Sequence, residues 1–447
     1  MYQGLSASKC RLFLFLSLLT SASIQADSLL ELYQEALQAD PRLNAAIFDH
    51  TATQELVPQA WAGYRPTVTI EADRINTTQE IKRSDNAVFD QGKTSFPTTT
   101  WTLSVSQPIF RYANYKRIGQ AKEELKKADA ELIQAQQDLI LRISEVYLAA
   151  LSAADELSFL ESERTAVGQQ LELARGREQA AVGRSVDTYD ALARMASVEA
   201  DYAVAQVVQQ DAEEAIYEII GRDPISLDLL REDISLQSPQ PADEEHWVDA
   251  AMQQNPALVV QRHVVEVGRT EIARQQAGHY PTVDAVARYN NQDTQGTLFG
   301  GGSEVGTQEI LLRFSMPLYS GGIVSSRKRE AIARHSSALQ ELTRIMRESR
   351  RQSRDAYWGV VTAIKRIDAL EQAVSAQQAT LELRRVAYES RLQTTISVLD
   401  AERDLYAVKR DLTQAKYDYL LNGLRLKSLV GILTLDDLQQ INAMLEN

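Results

Sequence analysis

The sequence predicts a mainly α-helical chain with a small membrane-type β part, built as two copies of one unit. Three observations carry this. The 447-residue chain repeats its own landmarks at nearly constant spacing. Two stretches, 114–220 and 325–430, contain no proline and are rich in Ala, Leu, Glu, Gln and Arg. Ahead of each lie segments in which apolar and polar residues alternate with period two, the mark of half-apolar strands.

The repeat can be read residue by residue. Ala62-Gly63-Tyr64-Arg65-Pro66-Thr67-Val68 returns 215 residues later as Ala277-Gly278-His279-Tyr280-Pro281-Thr282-Val283. Gln107-Pro108-Ile109-Phe110 returns 209 residues later as Met316-Pro317-Leu318-Tyr319, and Tyr147, Asp190 and Gly221 return 210 later as Tyr357, Asp400 and Gly431. A period this long is a duplicated subdomain and not a solenoid unit.

At the N-terminus, Lys9 and Arg11 precede the apolar run Leu12–Leu19, and small residues follow to Ala26. A charged start, a short apolar core and small residues make a secretory leader, residues 1–26, with cleavage expected after Ala26. The single cysteine, Cys10, would leave with it, which excludes disulfides and thiol catalysis in the mature chain. Loss of Lys9 and Arg11 takes the net charge from −14 to −16, so neither nucleic acid nor an anionic surface is an expected partner. No internal stretch approaches the ~20 apolar residues of a spanning helix.

The first repeat is placed at 27–236 and the second at 237–447. A short helix is expected over Leu29–Ala39. Asp40-Pro41 then starts another, with Asp as N-cap and Pro in the first turn, and Asn255-Pro256 does the same in the second copy. Pro58 falls inside the first of these as a potential kink. Strands are expected at about 67–76, 99–109, 282–291 and 308–318, joined by polar loops at 77–97 and 293–307. Trp101 and Tyr289 are read as strand-end girdle residues.

Helical hairpins follow at about 114–220 and 325–430. Ala191, Met195, Val198, Tyr202, Ala205, Gln209, Ala212, Ile216 and Ile219 alternate four- and three-residue steps. So do Ala401, Leu405, Val408, Leu412, Ala415, Tyr419, Asn422, Leu426 and Leu429. This is coiled-coil patterning. Each stretch must fold back near 181–187 or 391–397, where the pattern loosens around Gly183 and around Gln393 and Thr394, giving arms of ~60 residues, roughly 90 Å each. The five arginines from Arg344 to Arg354 form a stripe on one helix face, read as a partner surface or, in preference, as an ion-pair face to the Glu-rich first hairpin. A link, Asp223–Glu245, joins the copies, and the tail after Gly431 matches its start.

Four half-apolar strands cannot stand alone in water with two open edges, and in a membrane closure is mandatory. Membrane barrels start at about 8 strands. Two chains would only just reach that with an interior filled by side chains, whereas three would give about 12 strands and a lumen. A small soluble sheet packed on the helices is the competing reading of the same alternation.

Taken in order, Asp40-Pro41-Arg42-Leu43, Ala62-Gly63-Tyr64-Arg65-Pro66, Ser106-Gln107-Pro108-Ile109-Phe110, Tyr319-Ser320-Gly321-Gly322, Val182–Ala191 and Ser397-Val398-Leu399-Asp400-Ala401 resemble the TolC-like outer-membrane efflux and secretion channels. The resemblance covers nearly all of the chain after the leader. It implies a homotrimer whose four strands per chain contribute to a trimeric 12-stranded β-barrel in outer-membrane lipid, with the hairpins forming a long periplasmic tunnel. It further implies docking to an inner-membrane transporter, ABC-type or proton-driven, through a periplasmic adaptor protein. In that family acidic rings close the tunnel at the hairpin tips. The matching positions are Asp187, Asp190 and Asp400. Ser397 stands where the family often has another Asp, and Arg391 and Gln393 depart from its usual Gly and basic residues. Carboxylates that close repel by roughly 1 kcal/mol per pair even in water and attract cations; as isolated residues they also read as solvated turn and cap positions.

No enzyme is expected. His50, His246, His263, His279 and His335 show no metal-ligand spacing, Gly300-Gly301-Gly302 lacks the residues of a phosphate cradle, and no cofactor is implied. The function expected is a passive exit duct for secreted polypeptide or for small toxic compounds. Asp187-Thr188-Tyr189-Asp190-Ala191 leans slightly toward the secretion branch. The rival readings are an adaptor-like protein and a structural coiled coil without a barrel.

Overall fold

The computed structural model describes residues 27–83, 92–231, 233–297, 301–390 and 392–445; the expected leader at 1–26 and Arg391 lie outside them. The chain opens with α1 (Leu29–Ala39), closed at its start by a capping box in which Ser28 and Glu31 bond reciprocally. The buried Asp40 ends α1 and caps α2 (Pro41–Gln54) through the Leu43 N–H at 2.8 Å. The single helix expected to follow is broken at Glu55, and α3 (Leu56–Ala62) carries on. Pro58 explains the break: it has no N–H for the Gln54 carbonyl, and its ring crowds that oxygen.

Then come β1 (Thr67–Ile81), β2 (Gly92–Arg111), α4 (Tyr112–Gln179), α5 (Ser185–Ile220), α6 (Glu244–Gln254) and α7 (Pro256–Gln276). After a 3₁₀ turn, Ala277–His279, the order continues with β3 (Thr282–Thr294), β4 (Ser303–Ser315), α8 (Ile323–Glu389), α9 (Thr395–Leu429) and α10 (Leu435–Asn442). The expected fold class, long helical hairpins plus four antiparallel strands in a duplicated chain, is the one observed.

The hairpin arms are not equal as expected. α4 has 68 residues against 36 in α5, and α8 has 67 against 35 in α9. Each long helix is therefore about 100 Å and its returning partner about half that. The unmatched half is covered by the short helices: α2, α3 and α7 pack on α4, and α7 also packs on α8. The seam residues behave as the heptads demand, since all eighteen ladder positions are buried or half-buried. Both returning helices stop at a glycine in the left-handed region, Gly221 at φ 76° and Gly431 at φ 71°, where a side chain would be strained.

The largest core sits where α1, α4, α5, α8, α9 and α10 meet, around Leu29, Leu32, Leu139, Ile143, Tyr147, Ile216, Ile367 and Leu438. Two expectations fail here. The tail after Gly431 forms α10, and its Asn442 side chain accepts from the Leu30 N–H of α1 at 3.2 Å, whereas the link between the copies is largely irregular. Among the described residues no ion pair joins the arginine stripe to the first hairpin. Arg344 pairs with Glu341 and Glu348, and Arg351 with Asp355, all on α8, while Arg354 pairs with Glu244 and Glu245 of α6. Carboxylates one helical turn away are already in reach, and α6 lies against this part of α8.

The four strands form one sheet in the order β1-β2-β3-β4, antiparallel throughout. They differ in extent from expectation. The stretches 77–81 and 92–97, read as loop, continue the β1–β2 ladder to Ile81 opposite Gly92. Likewise Ser303 pairs with Thr294 at the far end of β3–β4. β4 stops at Ser315, short of Pro317, which has no N–H to give a ladder. Trp101 and Tyr289 are consequently mid-strand, with ring centroids 5.1 Å apart.

Candidate functional site

Two features of this fold bear on function: one face of the sheet, and the tips of the hairpins. The strand register lines up the apolar positions across all four strands. Val68 lies opposite Val105, Val105 opposite Ala287, and Ala287 opposite Ile310. Ile70, Leu103 and Tyr289 form the neighbouring row. The other face carries Thr69, Ser104, Arg288 and Glu309 in register, with a 2.6 Å bond between the Thr69 and Ser104 hydroxyls.

The apolar face is uncovered. Ile310 is 91% exposed, Leu312 74%, Ile70 73%, Phe314 66% and Val68 64%. Burying such side chains is worth ~1.5–3 kcal/mol each, so leaving these in water forgoes on the order of 8 kcal/mol, comparable with a domain's whole net stability. The outer edges of β1 and β4 have no strand beside them among the described residues. A face this apolar and edges this open require an apolar surrounding and further strands. None of the described helices is long and apolar enough to cross a membrane.

At the far end of the hairpins, α4 turns into α5 through a tight loop. Ala181 takes φ 57°, and the N–H groups of Val182 and Gly183 both donate to the Arg177 carbonyl, at 3.0 and 2.9 Å. A Cβ on Gly183 would lie 2.8 Å from Arg177 Cβ and 2.9 Å from the Arg177 carbonyl carbon, so this position accepts only glycine without movement. The second tip closes differently. The Leu392 N–H bonds the Ala387 carbonyl at 2.9 Å, and the exposed Gln393 and Thr394 complete the turn before α9.

The acidic residues singled out by sequence start the two returning helices. Asp187 sits in the first turn of α5, where the helix dipole favours an anion, and is bonded by Arg184 at 3.1 Å. Asp190, half-buried, follows three residues later with no ion pair among the described residues. Asp400 lies in α9 with Arg403 at 3.7 Å. Ser397 gives its carbonyl to Arg384 at 2.9 Å. The two sets share a level, since Ala191 beside Asp190 and Leu399 beside Asp400 pack in one cluster with Val167 and Leu171. No hydrogen bond or ion pair joins them within the chain among the described residues.

Sequence reasoning missed the basic partners. The Arg177 guanidinium lies 4.6 Å over the Tyr388 ring, tying the two tips together. Thr188 donates to Glu178 at 2.6 Å, which with Ser185 holds the Glu178 carboxyl below its usual range. Arg385 grips the buried Glu402 at 2.8 Å, and Arg194 grips Glu163. These pairs connect residues separated by a turn or by a whole helix, which no local spacing reveals. They leave a tip region that is acidic but interleaved with arginine.

The comparisons with known proteins agree with this geometry. The family model for outer membrane efflux protein matches residues 32–222 and 247–432, one segment per repeat. Outer membrane protein TolC of Vibrio cholerae serotype O1 is 29% identical over 428 residues, 95% of each chain. The proteases secretion protein PrtF of Dickeya chrysanthemi is 28% identical over 440 residues, 96% of this chain and 93% of PrtF. Among solved structures, the outer membrane protein VceC of Vibrio cholerae superposes with a TM-score of 0.75 over 90% of this chain and 96% of VceC, at 23% identity. With both copies of its repeat matched by the family model, this chain belongs to the outer membrane efflux protein family, the TolC-like channels of the outer membrane.

Proposed function

We propose that three copies of this chain assemble into a tunnel that passively conducts polypeptide from an inner-membrane transporter, reached through a periplasmic adaptor, to the exterior. The observation that carries the assembly is the single sheet with one continuous exposed apolar face and two open edges. Its described strands number four, and the smallest closed assembly that leaves a lumen is a trimer of about 12 strands. The polar rows then line the lumen, and the long hairpins carry it about 100 Å below the barrel. Secretion of polypeptide is favoured over efflux of small compounds by the likeness to PrtF, named as a proteases secretion protein.

Asp187, Asp190 and Asp400, repeated around a threefold axis at the hairpin tips, form the selective constriction. Their arginine neighbours Arg184 and Arg403 moderate the ring without cancelling it. Energy for transport comes from the inner-membrane partner, because nothing in the tunnel's chemistry turns over. The deciding measurement is the mass of the detergent-solubilised protein together with its conductance in a planar bilayer. A trimer with cation-selective conductance that weakens when Asp187, Asp190 and Asp400 become Ala is expected. A stable monomer would remove the barrel, and unchanged ion preference in the triple variant would remove the acidic ring.

A further inference from the structure

Asp27, just ahead of α1, lies against the link that follows α5. The Asp27 N–H donates to the Ser226 carbonyl at 2.7 Å, and Asp27 and Leu227 form a parallel bridge. Arg222 grips the Asp27 carboxylate at 2.7 and 3.0 Å, and the Ile225 N–H adds a bond at 2.8 Å. The Tyr147 hydroxyl lies 3.3 Å from the Asp27 carbonyl oxygen and 3.0 Å from that of Asp228. Residue 27 is thus held by groups from α4, from just past the end of α5 and from the link.

The charge in this nest does not balance. Among the described residues, Asp27, Glu31, Glu35 and Asp228 face one cation, Arg222, whose bonds go to Asp27 and Glu35. Glu31 is used by the Ser28 N–H. Asp228 is only 5% exposed, and its carboxylate has no hydrogen bond or ion pair among the described residues. Burial raises its pKa, and the Glu31 and Asp27 carboxylates raise it further. A carboxylate so little exposed, set among other carboxylates and without a bonded partner among the described residues, favours a positive group beside it. The described carboxylates are not arranged to hold a metal ion.

We propose that the leader is cut between Ala26 and Asp27, and that the α-ammonium group so created is the cation this nest lacks, seated between the Ser226 carbonyl and the Asp228 carboxylate. Water, delivered by a leader-removing endopeptidase, breaks the bond between the Ala26 carbonyl carbon and the Asp27 nitrogen. The water oxygen leaves on Ala26 as carboxylate, and the Asp27 nitrogen gains two protons to become –NH₃⁺. Before cleavage this nitrogen is an amide with one N–H, already used by Ser226. After cleavage it has further N–H donors and a full charge to offer Asp228. Processing therefore completes the charge balance beside α1 as well as freeing the chain, and only a cut at this bond places the charge at the nest.

The test uses the mature protein purified from outer membranes. Mass spectrometry identifies its first residue. The α-amine is then labelled by reductive dimethylation from about pH 6 to about pH 10, the range that brackets the ordinary α-amino value of ~7.7–8.0. The N-terminal peptide should begin at Asp27, and the labelling midpoint of the folded protein should lie at least about one pH unit above that of the denatured protein, a tenfold shift in proton affinity. Asp228→Asn should bring the folded midpoint back down. A different first residue overturns the proposal. So does a folded midpoint at or below the denatured one, the result expected if burial alone governs the amine, and so does an unchanged midpoint in Asp228→Asn. If that variant does not assemble, the wild-type comparison of folded with denatured midpoints decides alone.

Discussion

The duplication supplies its own control for one electrostatic prediction. In the first copy Asp40, 1% exposed, caps α2 and is held by Arg142 through two bonds of 2.8 and 3.1 Å. Burial pushes its carboxyl up, but the Arg142 guanidinium and the Leu43 N–H outweigh that and hold it below the usual 3.8. In the second copy the cap is Asn255, which accepts from the Ala257 and Leu258 N–H groups, and the residue 210 positions after Arg142 is Gln352. Asn255 and Gln352 line one cleft between α4, α7, α8 and α9. The first copy thus carries a charged pair at this junction, whereas the second has neutral amides at both positions, the Gln352 amide bonding Glu348 on its own helix.

Arg142→Gln leaves a buried carboxylate without its cation and should cost about 3 kcal/mol, the low end for breaking a buried pair because Arg142 keeps some contact with water. Asp40→Asn keeps the cap but strands the arginine, which still faces Asp138; about 2 kcal/mol is expected. The double variant recreates the neutral arrangement of the second copy and should cost only about 1 kcal/mol, a coupling of several kcal/mol between the sites. Guanidinium unfolding in detergent, followed by far-ultraviolet circular dichroism, measures all three. The pH dependence carries a fixed sign. A depressed folded pKa stabilises the protein above the ordinary carboxylate value, and that contribution is lost as pH falls below 3.8 and through the lower folded value. Wild type should lose stability through that window, and the double variant should lack this component. Additive single effects, within about 0.5 kcal/mol, would refute the reasoning.

Other positions give sharper yes-or-no outcomes. Gly431→Ala should destabilise more than Gly221→Ala: both carry positive φ, at roughly 1–2 kcal/mol for a side chain, but a Cβ at 431 also meets the Gln254 carbonyl oxygen at 2.7 Å while 221 is open; equal losses of thermal midpoint would contradict this. Gly183→Ala should loosen the first tip by about 1–3 kcal/mol through its contact with Arg177, seen as faster proteolysis between α4 and α5, whereas Gln393→Ala in the second turn should leave cleavage unchanged. Arg177→Leu should separate the tips by removing the contact with Tyr388, read as a more open, noisier channel in bilayers; unaltered conductance would show that this bridge has no part in the proposed constriction.

Much of this was legible in order of residues because the signals are periodic or local. The heptads fixed which face of α5 and α9 is buried, alternation fixed which face of the strands is apolar, and Asp40-Pro41 and Asn255-Pro256 marked two helix starts. The arm lengths were not legible, because a proline-free helical stretch does not say where its partner comes from: α2, α3 and α7, far away in the chain, cover the upper halves of α4 and α8. The strand lengths were misjudged because 77–81 and 92–97 are polar, and pairing across the ladder holds them straight where their own propensity is weak. At the tips the acids were visible in sequence, but Arg177, Arg385 and Arg194 were not, since their partners Tyr388, Glu402 and Glu163 lie in other turns or other helices.

The sequence by itself determined the duplication, the helix and strand periods, the need for the strands to find company, and the likeness to a channel family. These follow from patterns that each segment carries in its own residues. Only the tertiary structure decided which charges neutralise which. It paired Arg344 and Arg351 with carboxylates of their own helix and Arg354 with α6, set arginines beside two of the three tip aspartates, and left the little-exposed Asp228 without a bonded cation among the described residues. The physical reason is range: periodicity is a property of neighbours along the chain, whereas an ion pair depends on a few ångströms of space that only packing can bring together.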